Sequence, residues 1–587
     1  MTSLAPHRKS PVSPAPAQPL PDPQVRKGLG KKLHSAAFGS LLLALSVLVI
    51  FLVAYPLIQM FQRAAGPLDA WAKLIAEPWF FGMIRDTVLV VGTSAVLSLA
   101  IGALLAWINE RTDAGLGPIG DSLPLIPLFL PAVALAVGWV ALASPKVGLL
   151  SGFLEPLGFQ IYSTAGMVLV YVLLTVPYTY LPIVAALRSL DPSLEEAARA
   201  SGASSLRVIR TISLPAVAPS LLSGFILATI IGAGVYSIPA IVGNGTGMDI
   251  MSVRIVRSIQ NTYPIDYGTA IRLSALLFTA LLILYYVQHT VISKQRFARM
   301  GGQAPKVARI ALGRWRWPVR MLGILYIVFA AILPLAAVIY LSLQRYWQPD
   351  LFAPNWTFQN FSVASAGAGG ALEGIRNSVV LAVGAGFVVV MAATMILTYA
   401  RQSNNWVSRV ANGAAKFPAV VPGSVLAASF IFAFAGAPFK LGGTLLIMGM
   451  AFFVSFLPHA VISLEGTSAQ IDGSLEDASR LCGAGAGRTF GHVVLPLLRP
   501  GILATFALVF VRIVGDLEVA VLLGTGRTPL VSALLFQVWG EGFFTQVAAV
   551  AVMMTAVSAI VVILLMWLSR PAWVRKMHAR SRKAARR

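Results

Sequence analysis

The chain is a succession of long apolar runs separated by short polar segments. A helix needs about 20 apolar residues to cross the hydrocarbon core of a membrane, and these runs reach that length without the period-two alternation of a β-barrel. Within lipid the backbone must satisfy its own hydrogen bonds, which favours α-helices. We predict twelve spans, near Ala36–Ile58, Ile84–Trp107, Leu123–Ala143, Ala165–Ala186, Ser220–Val242, Gly268–Ile292, Met321–Leu343, Ser378–Ala400, Phe417–Gly436, Leu445–Leu464, Ile502–Leu523 and Val547–Leu568.

Prolines interrupt two of these runs, namely Pro124, Pro127 and Pro131 in the third and Pro418 and Pro422 in the ninth. A proline lacks the backbone donor of other residues, and a membrane helix tolerates it where neighbouring helices satisfy the freed groups. We therefore keep both runs as spans.

Composition agrees with an all-α membrane protein, because 57% of the residues are hydrophobic and only 11% are charged. A soluble domain carries roughly 25% charged residues. The net charge of +23 would suggest nucleic acid in a soluble protein, but here the basic residues flank the spans. Because Lys and Arg gather on the cytoplasmic side, we expect both termini in the cytoplasm and do not expect a nucleic-acid partner.

The organisation predicted from these patterns is two six-span halves with polar segments around them. The first segment is rich in proline and is expected to be a disordered cytoplasmic tail. The basic segments between and after the halves are expected to face the cytoplasm, and the linker is expected to lie along anionic headgroups. The predicted units are residues 1–35 (tail), 36–292 (first half, core about 84–290), 293–318 (linker), 319–568 (second half, core about 376–568) and 569–587 (tail).

The sequence repeats itself at an offset of 281 residues. Residues 191–203 (DPSLEEAARASGA) align without a gap with residues 472–484 (DGSLEDASRLCGA), and the register continues to Gly234 and Gly515. Both copies follow equivalent spans on the cytoplasmic side. The halves therefore share one orientation and are related by an axis along the membrane normal, with a solute path between them.

Each repeated segment predicts a short helix that stops at a glycine, followed by a second helix. Ser193 with Glu196, and Ser474 with Asp477, match the S-x-x-[DE] pattern of a helix start. A glycine permits the helix to stop, and proline suits the first turn of the next helix. Small residues on such a loop let a partner approach closely. The residues of the two loops are Glu195, Glu196, Ala197, Ala198, Gly202 and Pro215 in the first copy, and Glu476, Asp477, Ala478, Gly483 and Pro496 in the second.

These residues resemble the cytoplasmic loop motif of ABC importer permeases of the type I fold. In that motif E-A-A is followed by three residues, a glycine, nine residues and I-x-L-P. The first copy matches it fully, whereas the second has Asp477-Ala478-Ser479 and Val493 instead. The resemblance implies a type I ABC importer transmembrane domain in a bacterial plasma membrane. It also implies two copies of an ATP-binding subunit docked under the loops and an extracytoplasmic solute-binding protein on the opposite face.

The chain lacks a Walker A sequence, so we expect ATP to be hydrolysed by the partner subunits and expect no enzyme activity or bound cofactor in this chain. Cys482 is the only cysteine, and no metal-ligand spacing is present, so neither a disulfide framework nor a metal site is predicted.

The fused length with two such loops resembles the iron(III)/thiamine-type permeases, and residues 510–523 resemble iron(III)-type members of that family. Iron(III) is therefore the expected substrate class. Thiamine, polyamine and organophosphonate permeases remain alternatives. A secondary transporter is a further alternative, but it would normally need an ion site in discontinuous spans of both halves. An integral membrane enzyme would need a convergent cluster of His, Asp or Cys, which the sequence does not offer.

Three charges interrupt the eleventh predicted span, Arg512, Asp516 and Glu518. Ionisable residues within a span are functional candidates by default, so we predict that they line the solute pathway. Arg512 and Asp516 are four residues apart and would pair on one face of a continuous helix, so a purely structural ion pair is the alternative. The aligned positions in the first half are uncharged, which predicts an electrostatically lopsided path.

Overall fold

A computed structural model describes residues 24–117, 120, 122–190, 192–260, 265–293, 309–350, 355–365, 370–402, 405–468, 474–484 and 486–569. In these ranges ten helices are long and apolar enough to cross a membrane, and two bent helix pairs bring the number to twelve. In chain order, spans 1 to 12 are Ser40–Ala64, Phe80–Arg111, Leu123–Phe129 with Ala132–Ala143, Thr164–Ser189, Ile209–Gly234, Tyr267–Thr290, Gly313–Ser342, Ala371–Ala400, Trp406–Val420 with Gly423–Ala435, Leu445–Ser468, Gly491–Gly515 and Phe544–Ser569.

Shorter helices join the spans. On the side of the repeated loops they are Pro192–Ala200 and Ser474–Leu481, and the remaining ones of six residues or more are Leu68–Ala76, Ser237–Val242, Met251–Gln260, Gln359–Ser365, Glu518–Leu523 and Val531–Gly540. β-bridges in the described ranges are limited to two isolated ones, Thr112 with Ile310 and Gln344 with Trp356.

Spans 3 and 9 are the two bent pairs, with bends of 103° and 101°. The bends fall at Pro131 and Pro422, whose ψ angles of 131° and 145° are extended. A proline also pushes the residue before it out of the helical region, which explains why each helix stops just before it. The prolines that marked these runs in the sequence thus divide each span into two segments.

Spans 5 and 11 differ from the predicted ranges Ser220–Val242 and Ile502–Leu523. Both helices begin earlier and end at Gly234 and Gly515, after which one extended residue leads to a separate short helix. The prediction of one continuous helix was wrong because the runs stay apolar across the break, so hydropathy gives no sign of it. At each break a backbone carbonyl accepts a hydrogen bond from a serine distant in sequence. Ser252 donates to the Val235 carbonyl (3.0 Å), and Ser532 donates to the Asp516 carbonyl (2.6 Å).

The predicted tail and linker are partly helical. The first helix is Gln24–Ala64, so it begins inside the segment expected to be disordered. The prolines of that segment end at Pro23, which leaves the following residues free to form a helix. At the other end of the linker, helical structure already begins at Gly313. Residues 1–23, most of the linker and the C-terminal tail lie outside the described residues.

Each half is built on three mutually packed helices, spans 2, 4 and 5 in the first and spans 8, 10 and 11 in the second. Glycine allows close approach in both. A Cβ on Gly102 would lie 2.1 Å from the Thr179 hydroxyl, and one on Gly501 would lie 2.4 Å from the Thr467 methyl carbon. The interior also holds polar contacts, such as the 2.6 Å hydrogen bond between the Ser98 and Thr175 hydroxyls.

The outer spans 1 and 7 pack on the opposite halves. Span 1 contacts span 9 as well as span 6, and Phe51 and Tyr55 form an aromatic cluster with Phe434 of the second half. Span 7 contacts spans 3 and 12, and a Cβ on Gly138 of span 3 would lie 2.5 Å from the Pro334 carbonyl oxygen. Each half is therefore packed against one span, 1 or 7, that belongs to the other half in sequence.

Candidate functional site: paired loops and the boundary between the halves

The two repeated loops have the same backbone. The helices Pro192–Ala200 and Ser474–Leu481 each lead into a glycine with φ of 83°, Gly202 and Gly483. This left-handed conformation is easy only for glycine, and it closes each helix. The Ala203 amide donates to the Ala198 carbonyl (3.0 Å), and the second copy has the same bond between equivalent residues (3.1 Å). A Cβ at either glycine would meet open space, so crowding does not explain why glycine is needed there. The positive φ angle of the turn is what requires glycine.

Glu195 turns inward from the first loop. Its carboxylate lies 3.4 Å from Arg111 Nη2, and the Ser213 hydroxyl donates to it at 2.9 Å. Arg111 ends span 2 and also donates to the Leu187 carbonyl of span 4 (3.2 Å). The side chains of Arg111 and Glu195 are only 2% and 5% exposed. The loop helix is therefore tied by a buried ion pair to the ends of three spans.

The remaining predicted loop residues lie on the outside of the first loop or across its turn. Glu196, Ala197, Gly202 and Pro215 are exposed, and Ala198 is half-buried. In the second loop Ala478, Gly483 and Pro496 are exposed. The side chains of Glu476 and Asp477 lie outside the described residues. Among the side chains described, Ala197, Ala478 and the Glu196 carboxylate are therefore available to a partner.

Pro215 and Pro496 lie in the first turn of the α-helices Leu214–Gly234 and Leu495–Gly515, as predicted. Each of these helices continues directly from a π-helical turn, Ile209–Ser213 or Phe490–Val494, so spans 5 and 11 run on from the loops. A π turn widens the helix, which offers room where proline would clash with the preceding turn. The first loop helix also starts at Pro192, so Ser193 lies within its first turn rather than before it.

The halves meet where the broken spans face the bent spans. A Cβ on Gly234 would lie 3.3 Å from Pro422 Cβ, and one on Gly515 would lie 2.8 Å from Pro131 Cβ. Each contact joins the end of span 5 or 11 to the elbow of the bent span in the other half. The repeat thus places two helix ends and two elbows together at the boundary between the halves.

The three charges of residues 512–518 lie at this boundary, and all are half-buried. Glu518 accepts a hydrogen bond from the Tyr236 amide of the first half at 2.9 Å. Arg512 lies over the ring of Tyr178, also of the first half, at 5.5 Å. All three are close enough to interact electrostatically. Two of the three predicted pathway charges therefore bridge the halves.

The alternative considered for Arg512 and Asp516, an i, i+4 pair on one helix face, does not form, because the helix ends at Gly515. Asp516 instead accepts a hydrogen bond from the Val519 amide at 2.8 Å and so caps the next short helix. Sequence reasoning also missed Arg111 and Tyr236. Arg111 looks like an ordinary basic residue at a span end, and Tyr236 contributes only its amide, so the sequence carries no signal for either.

A second charged cluster lies at the opposite end of the first half. Arg254 pairs with Asp249 at 2.9 Å and lies 3.9 Å over the ring of Trp79. The Asp249 amide donates to Asp86 at 3.3 Å. Burial raises the pKa of the Asp249 carboxyl, and Arg254 opposes that effect. This cluster is fixed on the face that points away from the repeated loops.

Comparison with known proteins gives matches over most of the chain. Residues 98–298 and 376–573 each match the family described as binding-protein-dependent transport system inner membrane component. The ferric transport system permease protein FbpB of Actinobacillus pleuropneumoniae is 22% identical over 553 residues, which cover 92% of this chain and 79% of that protein.

Two further relatives differ in how much of the chain they match. The Fe(3+)-transport system permease protein FbpB 2 of Haemophilus influenzae is 21% identical over 88% of this chain and 97% of its own length. The spermidine/putrescine transport system permease protein PotB of Salmonella typhimurium is 25% identical, but over only 40% of this chain and 83% of its own length.

Proposed function

The chain belongs to the binding-protein-dependent transport system inner membrane components, and from this premise we propose that it carries iron(III) through the boundary between its two halves. It is the permease of an ABC importer, a multi-pass protein that contains both permease copies in one chain. The iron(III) assignment is supported by the two ferric relatives that match nearly the whole chain, whereas the polyamine relative matches 40% of it.

The proposed pathway contains Arg512, Asp516 and Glu518. Their position supports this role, because they are half-buried charges at the junction of the two halves, near the break after Gly515 in span 11. Broken spans at the midplane between two halves are where transporters place their substrate sites. The aligned residues Ile231, Val235 and Ser237 are uncharged, so one half would supply the charges and the other an uncharged wall.

The two loops are proposed to couple this pathway to two copies of a separate ATP-binding subunit, one under each loop. The single observation that carries this proposal is that both loops have the same glycine-closed backbone on one face of the protein. With that face in the cytoplasm, both termini are cytoplasmic as well. The solute-binding protein would then meet the opposite face, where Trp79, Asp249 and Arg254 are fixed together.

Docking is tested by placing a bulky charge on the outer surface of each loop. Ala197 and Ala478 are exposed and equivalent, so Ala197→Arg with Ala478→Arg should leave the spans intact and abolish co-purification of the co-expressed ATP-binding subunit. The matched control is Ala76→Arg, an exposed alanine on the other face, which should keep the complex. A complex that survives the double change would show that the loops are not the docking elements.

Substrate is tested with the assembled transporter and its solute-binding protein in proteoliposomes. We expect ATP-dependent uptake of iron(III) and none of spermidine or thiamine. Uptake of either organic cation without iron would refute the iron(III) proposal while leaving the permease assignment intact.

A further inference from the structure

At the start of span 7 the chain presents an exposed cluster of alternating arginine and tryptophan. We call residues Gly313–Trp317, with the sequence GRWRW, the arginine–tryptophan turn. Its four side chains from Arg314 to Trp317 are all exposed, and the two indoles are 59% and 62% exposed. Large aromatic surfaces of this size normally avoid water, so this turn needs an explanation.

The backbone before the turn is fixed to the first half. The Ile310 amide donates to the Arg111 carbonyl at 2.8 Å, and the Asp113 amide donates to the Ile310 carbonyl at 3.1 Å. The Leu312 amide then donates to the Asp113 carboxylate at 3.1 Å. Because these bonds hold residues 310–312 against the end of span 2, the turn is presented at a defined position rather than on a loose linker.

One of the two indoles is also braced from below. Arg320, one turn further along span 7, lies 5.0 Å over the ring of Trp317 and donates to the Ala114 carbonyl at 3.0 Å. Arg314 lies 5.8 Å over the ring of Trp315. Arg314 and Arg316 are both exposed, so their charges are accessible from solvent or lipid.

We propose that the arginine–tryptophan turn binds the phosphate of anionic phospholipid headgroups at the membrane surface on the side of the repeated loops. Tryptophan settles at the level of the headgroups, and arginine matches the geometry of a phosphate with two donors. The occupant is lipid rather than a protein because the exposed surface continues along the same helix through Met321, Leu322 and Leu325, which are 51%, 44% and 51% exposed. That continuation is the face of a membrane span, which is covered by acyl chains.

The site has a consequence for coupling, and this step rests on the proposed function. The backbone carbonyl of Arg111 accepts a hydrogen bond from Ile310, just before the turn, and the side chain of Arg111 forms an ion pair with Glu195 of the first loop. A headgroup bound to the turn would therefore stabilise the position of Arg111, and through its ion pair with Glu195 the position of the first loop. We expect anionic lipid to raise the transport-coupled ATPase activity of the assembled complex.

The binding itself is tested on the permease chain alone, in nanodiscs of phosphatidylcholine that contain a small fraction of brominated phosphatidylglycerol or brominated phosphatidylcholine. Bromine quenches nearby tryptophan fluorescence. The quenched signal assigned to the turn is the difference between the unchanged chain and Trp315→Phe with Trp317→Phe. We expect brominated phosphatidylglycerol to quench this signal more strongly than brominated phosphatidylcholine does. The double variant Arg314→Gln with Arg316→Gln should reduce the preference for the anionic lipid by about fivefold for each arginine.

The matched control is Arg345→Gln, an exposed arginine just beyond the other end of span 7, which should leave the preference unchanged. Equal quenching by both lipids, or an undiminished preference in the double arginine variant, would overturn the proposal. Restored fluorescence of these indoles on addition of the ATP-binding subunit would instead assign the surface to a protein partner and would also overturn it. Because the lipid measurement contains no ATPase, its failure is distinct from a failure of the proposed function.

Discussion

Glu195 should be necessary to hold the first loop in place, and Glu195→Gln tests this with little change in size. The replacement removes the charged carboxylate of Glu195 from beside Arg111, whose side chain is only 2% exposed. Removing one partner of a buried ion pair costs about 3–5 kcal/mol. Because Arg111 keeps its bond to the Leu187 carbonyl, we take the lower end, about 3 kcal/mol, which corresponds to about a 10²-fold change in an equilibrium.

Hydrogen–deuterium exchange measured by mass spectrometry reads out this loss locally. Peptides that cover residues 192–203 should exchange about 10²-fold faster in Glu195→Gln, or reach the rate of an unstructured peptide. Glu196→Gln is the matched control, because it makes the same chemical change one residue later on the exposed side. It should leave exchange of the loop unchanged in the free permease.

A second variant distinguishes loss of the ion pair from a general loss of folded structure. Replacing both members of a buried pair by apolar residues is often close to neutral, so Arg111→Met with Glu195→Leu should bring exchange of the loop back towards the original rate. Unchanged exchange in Glu195→Gln, or no recovery in the double variant, would refute the idea that the ion pair anchors the loop.

Two further predictions concern the boundary between the halves. Asp516→Asn keeps an acceptor for the Val519 amide and should preserve the melting temperature of the purified chain, whereas Asp516→Leu should lower stability by about 1 kcal/mol; equal melting temperatures would argue against a capping role. Gly515→Ala would place a Cβ 2.8 Å from Pro131, and Gly234→Ala would place one 3.3 Å from Pro422. Gly515→Ala should therefore lower the melting temperature more, and the reverse order would contradict the observed contacts.

What the sequence predicted well depends on local chemistry. The glycine stops at Gly202 and Gly483 follow from a residue type that alone adopts the left-handed turn easily, so the helix–turn geometry was predictable. The prolines in spans 3 and 9 coincide with the bends, but only spans, and not bends, were predicted at these positions. Coupling to a partner and the roles of the pathway charges stay predictions.

What the sequence could not predict depends on contacts distant along the chain. The break after Gly515 is stabilised by Ser532, and the first loop is held by Arg111, 84 positions before Glu195. Hydropathy averages over such details, because a broken helix and a continuous one have the same apolar content. A pairing inferred from helical spacing, such as that of Arg512 with Asp516, fails as soon as the helix ends.

The exchange of spans 1 and 7 constrains the order in which the protein can be assembled during synthesis. Span 1 is made first, but the surface that receives Phe51 and Tyr55 lies around Phe434 in span 9 and is made much later. Until then this aromatic face has only lipid or insertion factors to cover it. The first half therefore cannot complete its packing as a separate folding unit, and a chain that stops early leaves an orphaned helix for membrane quality control to recognise.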